Sequence, residues 1–67
     1  MRGQIKFYNL KRGFGFIVPD DGAKEVYFNK ASLPRARAYD PVEGDVVTFE
    51  VRDARLGKIA VHIEQSP

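Results

Sequence analysis

Apolar and polar side chains alternate along most of this chain, a pattern typical of β-strands with one buried face. In the clearest run, Val47, Phe49 and Val51 are separated by single polar residues. Successive side chains of a strand point to opposite faces, so these three share the core side. Comparable runs predict an all-β domain of five strands. The other four are Gln4–Asn9, Arg12–Pro19, Glu25–Lys30 and Lys58–Ile63.

The same alternation predicts which side chains form the core. In the third strand it buries Val26 and Phe28 and exposes Tyr27 and Asn29. In the fifth it buries Ile59, Val61 and Ile63 and leaves His62 outside. In the first strand it places Ile5 in the core, and strict alternation would then bury Phe7 and expose Tyr8. The expected core is Val26, Phe28, Val47, Phe49, Val51 and Ile63.

The second strand, Arg12-Gly-Phe-Gly-Phe-Ile-Val18, departs from this pattern. Phe14, Phe16 and Val18 share one face, while the opposite face has two glycines and Ile17. Glycines inside a strand usually mark strong curvature or the close approach of another backbone. Two rings on one face with a cation beside them are typical of a platform for stacking nucleobases. The alternative is a barrel strand whose rings are covered by another element.

Turn signals separate the strands. Pro19–Gly22 has the proline and glycine of a tight turn, and its two aspartates are interpreted as turn residues rather than as a catalytic pair. After the third strand there is room for one helical turn before Pro34 ends it. Residues 53–57 form a hairpin connection. The loop Pro34–Pro41 contains Arg35, Arg37 and Tyr39, and is either a solvated connection or a flap over a bound strand.

Composition narrows the class of protein. With 67 residues, the chain is expected to be one domain, residues 1–67, with a small core. It has no cysteine, no apolar run of membrane-spanning length and no signal-peptide pattern, so we expect a cytoplasmic protein without a membrane partner. The formal net charge is +2, but four cations precede the first acid, Asp20. A lone His62 makes no metal site, and no catalytic group, cofactor or small-molecule substrate is predicted.

Arg12–Ile17 also matches the first ribonucleoprotein motif, which is a basic residue, Gly, an aromatic, Gly, Phe and an aliphatic residue. With Lys6-Phe-Tyr-Asn9, Val26-Tyr-Phe-Asn-Lys30 and Glu43-Gly44, nearly the whole chain resembles the bacterial cold-shock proteins. The resemblance implies a five-stranded antiparallel oligonucleotide-binding (OB-fold) barrel with one short helical turn after the third strand. It also implies a protein that binds single-stranded RNA or DNA, acting as an RNA chaperone or a regulator of transcription or translation. We expect the chain to be a monomer.

The resemblance implies a binding face as well. It exposes the ring at position 7, against simple alternation, so we expect a bulge or strong twist in the first strand. Phe7, Asn29 and Lys30 stand where the family usually has Trp, His and Phe, which reduces the stacking surface. The main alternative function is a protein-interaction module that docks through the same rings. The expected nucleic-acid-binding residues are Lys6, Phe7, Tyr8, Arg12, Phe14, Phe16, Tyr27, Asn29, Lys30 and Tyr39.

Overall fold

The computed structural model describes residues 1–34, 39–55 and 57–66. Its five strands close into a barrel in the order β1-β2-β3-β5-β4, which confirms the predicted fold class. All pairings between neighbouring strands are antiparallel except that of β3 with β5, which is parallel at Tyr27 and Ile59. The strands are β1 Arg2–Asn9, β2 Phe14–Pro19, β3 Val26–Asn29, β4 Val46–Ala54 and β5 Gly57–Gln65.

The connections follow the predicted turn signals. A single 3-10 turn, Lys30–Ser32, follows β3, as predicted. Between β2 and β3, the amide of Gly22 donates to the carbonyl of Pro19 at 3.2 Å, which forms the predicted turn. The β4–β5 connection is shorter than predicted, because Ala54 already pairs with Gly57. The predicted loop arginines, Arg35 and Arg37, lie outside the described residues. Within the described part of the chain, no helix is long and apolar enough to cross a membrane.

The barrel interior is filled by apolar side chains from every strand. Five of the six predicted core residues are buried, and the sixth, Val51, is half-buried against the same cluster. Phe28 is completely buried and is the largest of the fully buried side chains. The buried hydrophobic residues are Ile5, Ile17, Val26, Phe28, Leu33, Val47, Phe49, Ala60 and Ile63.

A β-bulge in β1 reverses the inside–outside pattern of this strand. Ile5 pairs with Ile17 and Phe7 with Phe16, so two steps along β1 match one step along β2. The extra residue is Lys6, and everything after it moves to the opposite face. Phe7 is therefore 45% exposed, whereas Tyr8 is half-buried. This confirms the expected bulge, and strict alternation is wrong for both rings.

A second bulge, in β5, corrects the predicted burial there. Thr48 pairs with Glu64 and Glu50 with Val61, so β5 carries one more residue than β4 between these pairs. His62 lies at this irregularity with a φ of +52°. The bulge spaces the buried residues three apart, at Ala60 and Ile63. Ile59 and Val61, both predicted to be buried, are only half-buried as a result.

The two glycines of the aromatic stretch have different functions. Gly13 precedes β2 and lies in the β1–β2 turn with a φ of +71°, a backbone conformation that residues other than glycine rarely adopt. The strand therefore begins two residues later than predicted. Gly15 is inside β2 and faces the core. A Cβ there would overlap the carbonyl oxygen of Phe7 and lie 2.8 Å from Cζ of Phe28. The expected close approach of another backbone is thus present at Gly15.

Candidate nucleic-acid interface

Four aromatic rings from three adjacent strands form one cluster on the outside of the barrel. We call Phe7, Phe14, Phe16 and Tyr27 the ring cluster. The centroid of Phe14 lies 5.9 Å from that of Phe7, 6.3 Å from that of Phe16 and 6.1 Å from that of Tyr27. Phe16 and Tyr27 are 5.9 Å apart. All four rings are half-buried or exposed, so each offers an open surface.

Strand register brings these rings together. Phe7 pairs with Phe16, and Phe16 pairs in turn with Tyr27, so the three rings form a row across β1, β2 and β3. Directly opposed residues of antiparallel strands project to the same face. Phe14 lies two residues before Phe16 and therefore adds a fourth ring on that face. The row depends on the β1 bulge, because without the extra residue Phe7 would point into the barrel.

The cations near the ring cluster differ in their partners. Lys6 Nζ lies 2.6 Å from Glu25 Oε2, an ion pair whose two side chains remain 57% and 40% exposed. Among the described residues, Arg12 and Lys30 have no ion-pair partner. Lys30 is also fixed through its backbone, because its amide donates to the carbonyl of Gly13 at 2.8 Å. Two basic side chains without an ion-pair partner among the described residues thus stand at the β1–β2 turn, at one end of the cluster.

Tyr8 and Tyr39 are placed differently from the other predicted site residues. The ring of Tyr8 stacks on buried Phe28, with centroids 5.7 Å apart and an interplanar angle of 6°. Burial and, to a lesser extent, the charge of Asp40 raise the pKa of Tyr8. Tyr39 is half-buried, and its hydroxyl donates to Asp45 Oδ2 at 2.8 Å. Its pKa is raised, first by burial and then by this carboxylate. Both rings pack against the core cluster and lie outside the ring cluster.

Asn29 has a local contact that the sequence did not reveal. It lies at the end of β3, exposed, and its Oδ1 accepts a hydrogen bond from the amide of Ala31 at 2.8 Å. The side chain therefore caps the 3-10 turn while it remains on the outer face. Its capping function leaves the amide nitrogen Nδ2 available to other partners.

Sequence reasoning missed one residue beside the ring cluster. Ile59 was assigned to the core, but the β5 bulge leaves it half-exposed next to Tyr27, with which it pairs. With Lys58 and Ala54 it lines a mainly apolar depression of about 400 Å³ beside that ring. The bulged residue, His62, is not a glycine, so the sequence carried no sign of the irregularity. The described residues contain no group of three His, Cys, Asp or Glu that could hold a metal ion.

Comparison with known proteins gives matches along nearly the whole chain. Residues 1–66 match the family model described as the 'Cold-shock' DNA-binding domain. Cold shock protein CspA of Rhizobium meliloti is 46% identical over 57 residues, which are 84% of this chain and 83% of the relative. Cold shock-like protein CspC of Buchnera aphidicola is 38% identical over 63 residues, or 94% of this chain and 91% of the relative. CspC of Escherichia coli K12 is 36% identical with the same coverage.

Proposed function

Because this chain belongs to the cold-shock domain family, we propose that the ring cluster is the surface on which it binds single-stranded RNA or DNA. The observation that supports this assignment is the row of rings across three strands, since four open aromatic faces lie within 6.3 Å of a neighbour. Every nucleobase has an apolar π-face, so stacking tolerates different base sequences. Each stacked base contributes roughly 1–3 kcal/mol by this mechanism.

The cations supply the electrostatic part of binding. Arg12 and Lys30 stand beside the rings without a carboxylate partner among the described residues, so their charges are available to phosphates. Neutralising phosphates releases condensed counterions, which makes binding dependent on salt. Lys6 would contribute after leaving Glu25. Tyr8 and Tyr39 are assigned to the rim of the site, where Tyr39 is positioned by Asp45.

A surface of this kind favours unpaired strands over duplexes. In a duplex the base faces are stacked on one another, so they are not available to Phe14 or Phe16. Binding to the open form shifts a hairpin's equilibrium towards unpaired strands by mass action, without a catalysed reaction. We infer that this is how the protein acts as an RNA chaperone or regulator. We also propose that residues 1–67 act as a single, monomeric, cytoplasmic domain, without a cofactor.

The test is a titration of a fluorescently labelled, unstructured oligonucleotide with the wild-type protein and with Phe14→Ala and Phe16→Ala. Each substitution should weaken binding by roughly 1–3 kcal/mol, and circular dichroism should show that both variants remain folded. Val42→Ala is the control, because Val42 is also apolar and 64% exposed but lies outside the ring cluster, where its carbonyl accepts from the amide of Asp45 in a turn. Unchanged affinity in either phenylalanine variant would refute the stacking surface. A competition with the matching duplex should show weaker binding of the duplex.

A further inference from the structure

Lys30 contacts the β1–β2 turn through its side chain as well as through its backbone. Its amide donates to the carbonyl of Gly13 at 2.8 Å, one residue beyond the pair that Phe14 forms with Asn29. The methylene groups of Lys30 lie over Gly13, because a Cβ on this glycine would be 2.9 Å from Cδ, 3.1 Å from Cγ and 3.4 Å from Cβ of the lysine. The space that a side chain at position 13 would need is therefore occupied by the stem of Lys30.

This contact distinguishes Gly13 from Gly22, the glycine of the β2–β3 turn. Both residues have a positive φ, of +71° and +82° respectively. A Cβ at Gly22 would meet no atom within 4 Å, so only the backbone conformation favours glycine there. A Cβ at Gly13 would also have to displace Lys30. The displaced group is a flexible side chain rather than the main chain, so we expect the lysine to move while the barrel stays closed.

The other surroundings of Lys30 leave its ammonium group without a carboxylate partner. The lysine lines a depression of about 510 Å³ whose wall also includes Tyr8, Tyr39 and Asp40. Asp40 forms no ion pair with Lys30 within the part of the chain that the structure describes. A side chain whose stem is already packed has less rotamer freedom to lose when its end group binds a ligand. The packing on Gly13 therefore favours a contact between the ammonium and an anion.

We propose that Gly13 is a positioning residue for phosphate binding, because the absence of a side chain there lets the stem of Lys30 pack on the β1–β2 turn and directs its ammonium to the bound strand. Lys30 directly follows Asn29, the partner of Phe14 across β2 and β3, so a strand that continues past the Phe14 ring reaches this lysine. The inference rests on the proposed function. It gives Gly13 a part in binding that its backbone conformation alone does not require.

The test compares Gly13→Ala with Gly22→Ala in titrations of labelled oligo(dT) over a series of salt concentrations. Both substitutions place a side chain at a positive φ, but only Gly13→Ala displaces the lysine stem. Gly13→Ala should weaken binding by up to about fivefold at low salt, the effect of losing one exposed charge contact. Its slope of log affinity against log salt should become shallower by up to about 0.7, the contribution of one phosphate on a single strand. Gly22→Ala should retain the affinity and the slope of the wild type.

Lys30→Met shows whether Gly13 acts through the lysine, because methionine retains an unbranched stem and has no charge. Lys30→Met alone should have the shallower slope, and adding Gly13→Ala should change neither the slope nor the affinity any further. Equal losses of affinity from Gly13→Ala in the wild-type and Lys30→Met backgrounds would overturn the proposal, since the substitution would then act on the neighbouring Phe14. A wild-type slope in either Gly13→Ala or Lys30→Met would overturn it as well.

Nuclear magnetic resonance tests the contact in the wild-type protein, without a substitution that could unfold the barrel. Nuclear Overhauser effects should connect the α protons of Gly13 with the γ and δ protons of Lys30, and their absence would overturn the inference. If Phe14→Ala weakens binding while Gly13→Ala behaves like Gly22→Ala, only this inference fails. Wild-type affinity in Phe14→Ala would refute the proposed function, and this inference with it.

Discussion

Glu25 is expected to lower the affinity of this protein for nucleic acid, because it pairs with Lys6. Removing the charge of Glu25 tests whether Lys6 contacts the phosphates of a bound strand. Lys6 Nζ and Glu25 Oε2 lie 2.6 Å apart, so the ammonium must leave this carboxylate to contact a phosphate. The two side chains are 57% and 40% exposed, and such exposed pairs contribute about 0.2–1 kcal/mol. Glu25→Gln should therefore strengthen binding by up to about fivefold at low salt, the equivalent of about 1 kcal/mol.

The assay is a fluorescence anisotropy titration of an unstructured oligonucleotide over a series of salt concentrations. The gain should shrink as salt rises, because exposed charges are screened. The slope of log affinity against log salt should steepen by up to about 0.7, the contribution of one further neutralised phosphate on a single strand. In a Lys6→Gln background the Glu25→Gln change should have no such effect.

The control for net charge is Glu64→Gln. Glu64 is exposed on β5, where it pairs with Thr48 rather than with a strand that carries the rings. Glu64→Gln removes the same negative charge as Glu25→Gln, so a gain in affinity that depends only on net charge should appear in both variants. Equal gains in the two variants would mean that only net charge matters. No gain from Glu25→Gln at low salt would mean that Lys6 does not contact the bound strand.

Two further substitutions test the hydrophobic core and position 30, where this chain has a lysine and the family usually has a phenylalanine. Phe49 is 2% exposed within the barrel, and Phe49→Ala should cost about 3–5 kcal/mol of the free energy of unfolding, measured in urea. A variant that is as stable as wild type would contradict the assigned core face of β4. Lys30→Phe should tighten oligonucleotide binding at high salt and make the salt slope shallower by about 0.7, because a ring replaces a phosphate contact. An unchanged slope would show that Lys30 is an ordinary solvated charge.

The predictable parts of this fold are those in which strand periodicity is uninterrupted. In β3 and in the first half of β4, alternation alone assigned every core residue correctly, since a one-residue error would have exposed Phe28 or Phe49. The strand β2 was also recognisable from the sequence, because its phenylalanines fall on one face and its glycines on the other, a pattern that is unusual for an ordinary core strand. The predicted start of β2 was two residues too early, because Gly13 lies in a turn rather than in the strand.

The parts that could not be predicted depend on bulges and on strand register. Strict alternation assigned Phe7 and Ile59 to the wrong environment. Phe7 follows the extra residue of the β1 bulge and Ile59 precedes that of the β5 bulge, and a regular period of two cannot predict such an insertion. The position of Phe7 was recovered only through the family resemblance. The Lys6–Glu25 pair joins residues 19 apart in the sequence and forms because the barrel brings the two side chains together. Contacts of this kind follow from the fold rather than from local sequence.

The binding face and the core are connected through Gly15. The strand β2 presents Phe14 and Phe16 outward, and the position between them has no side chain to fill the interior. Phe28, from β3, occupies that space and stacks on Tyr8. The glycine is required because the Phe28 ring and the Phe7 carbonyl already lie where a Cβ would be. Because Gly15 lies between Phe14 and Phe16 in β2, the interior space that Phe28 fills and the two outward rings belong to one three-residue stretch.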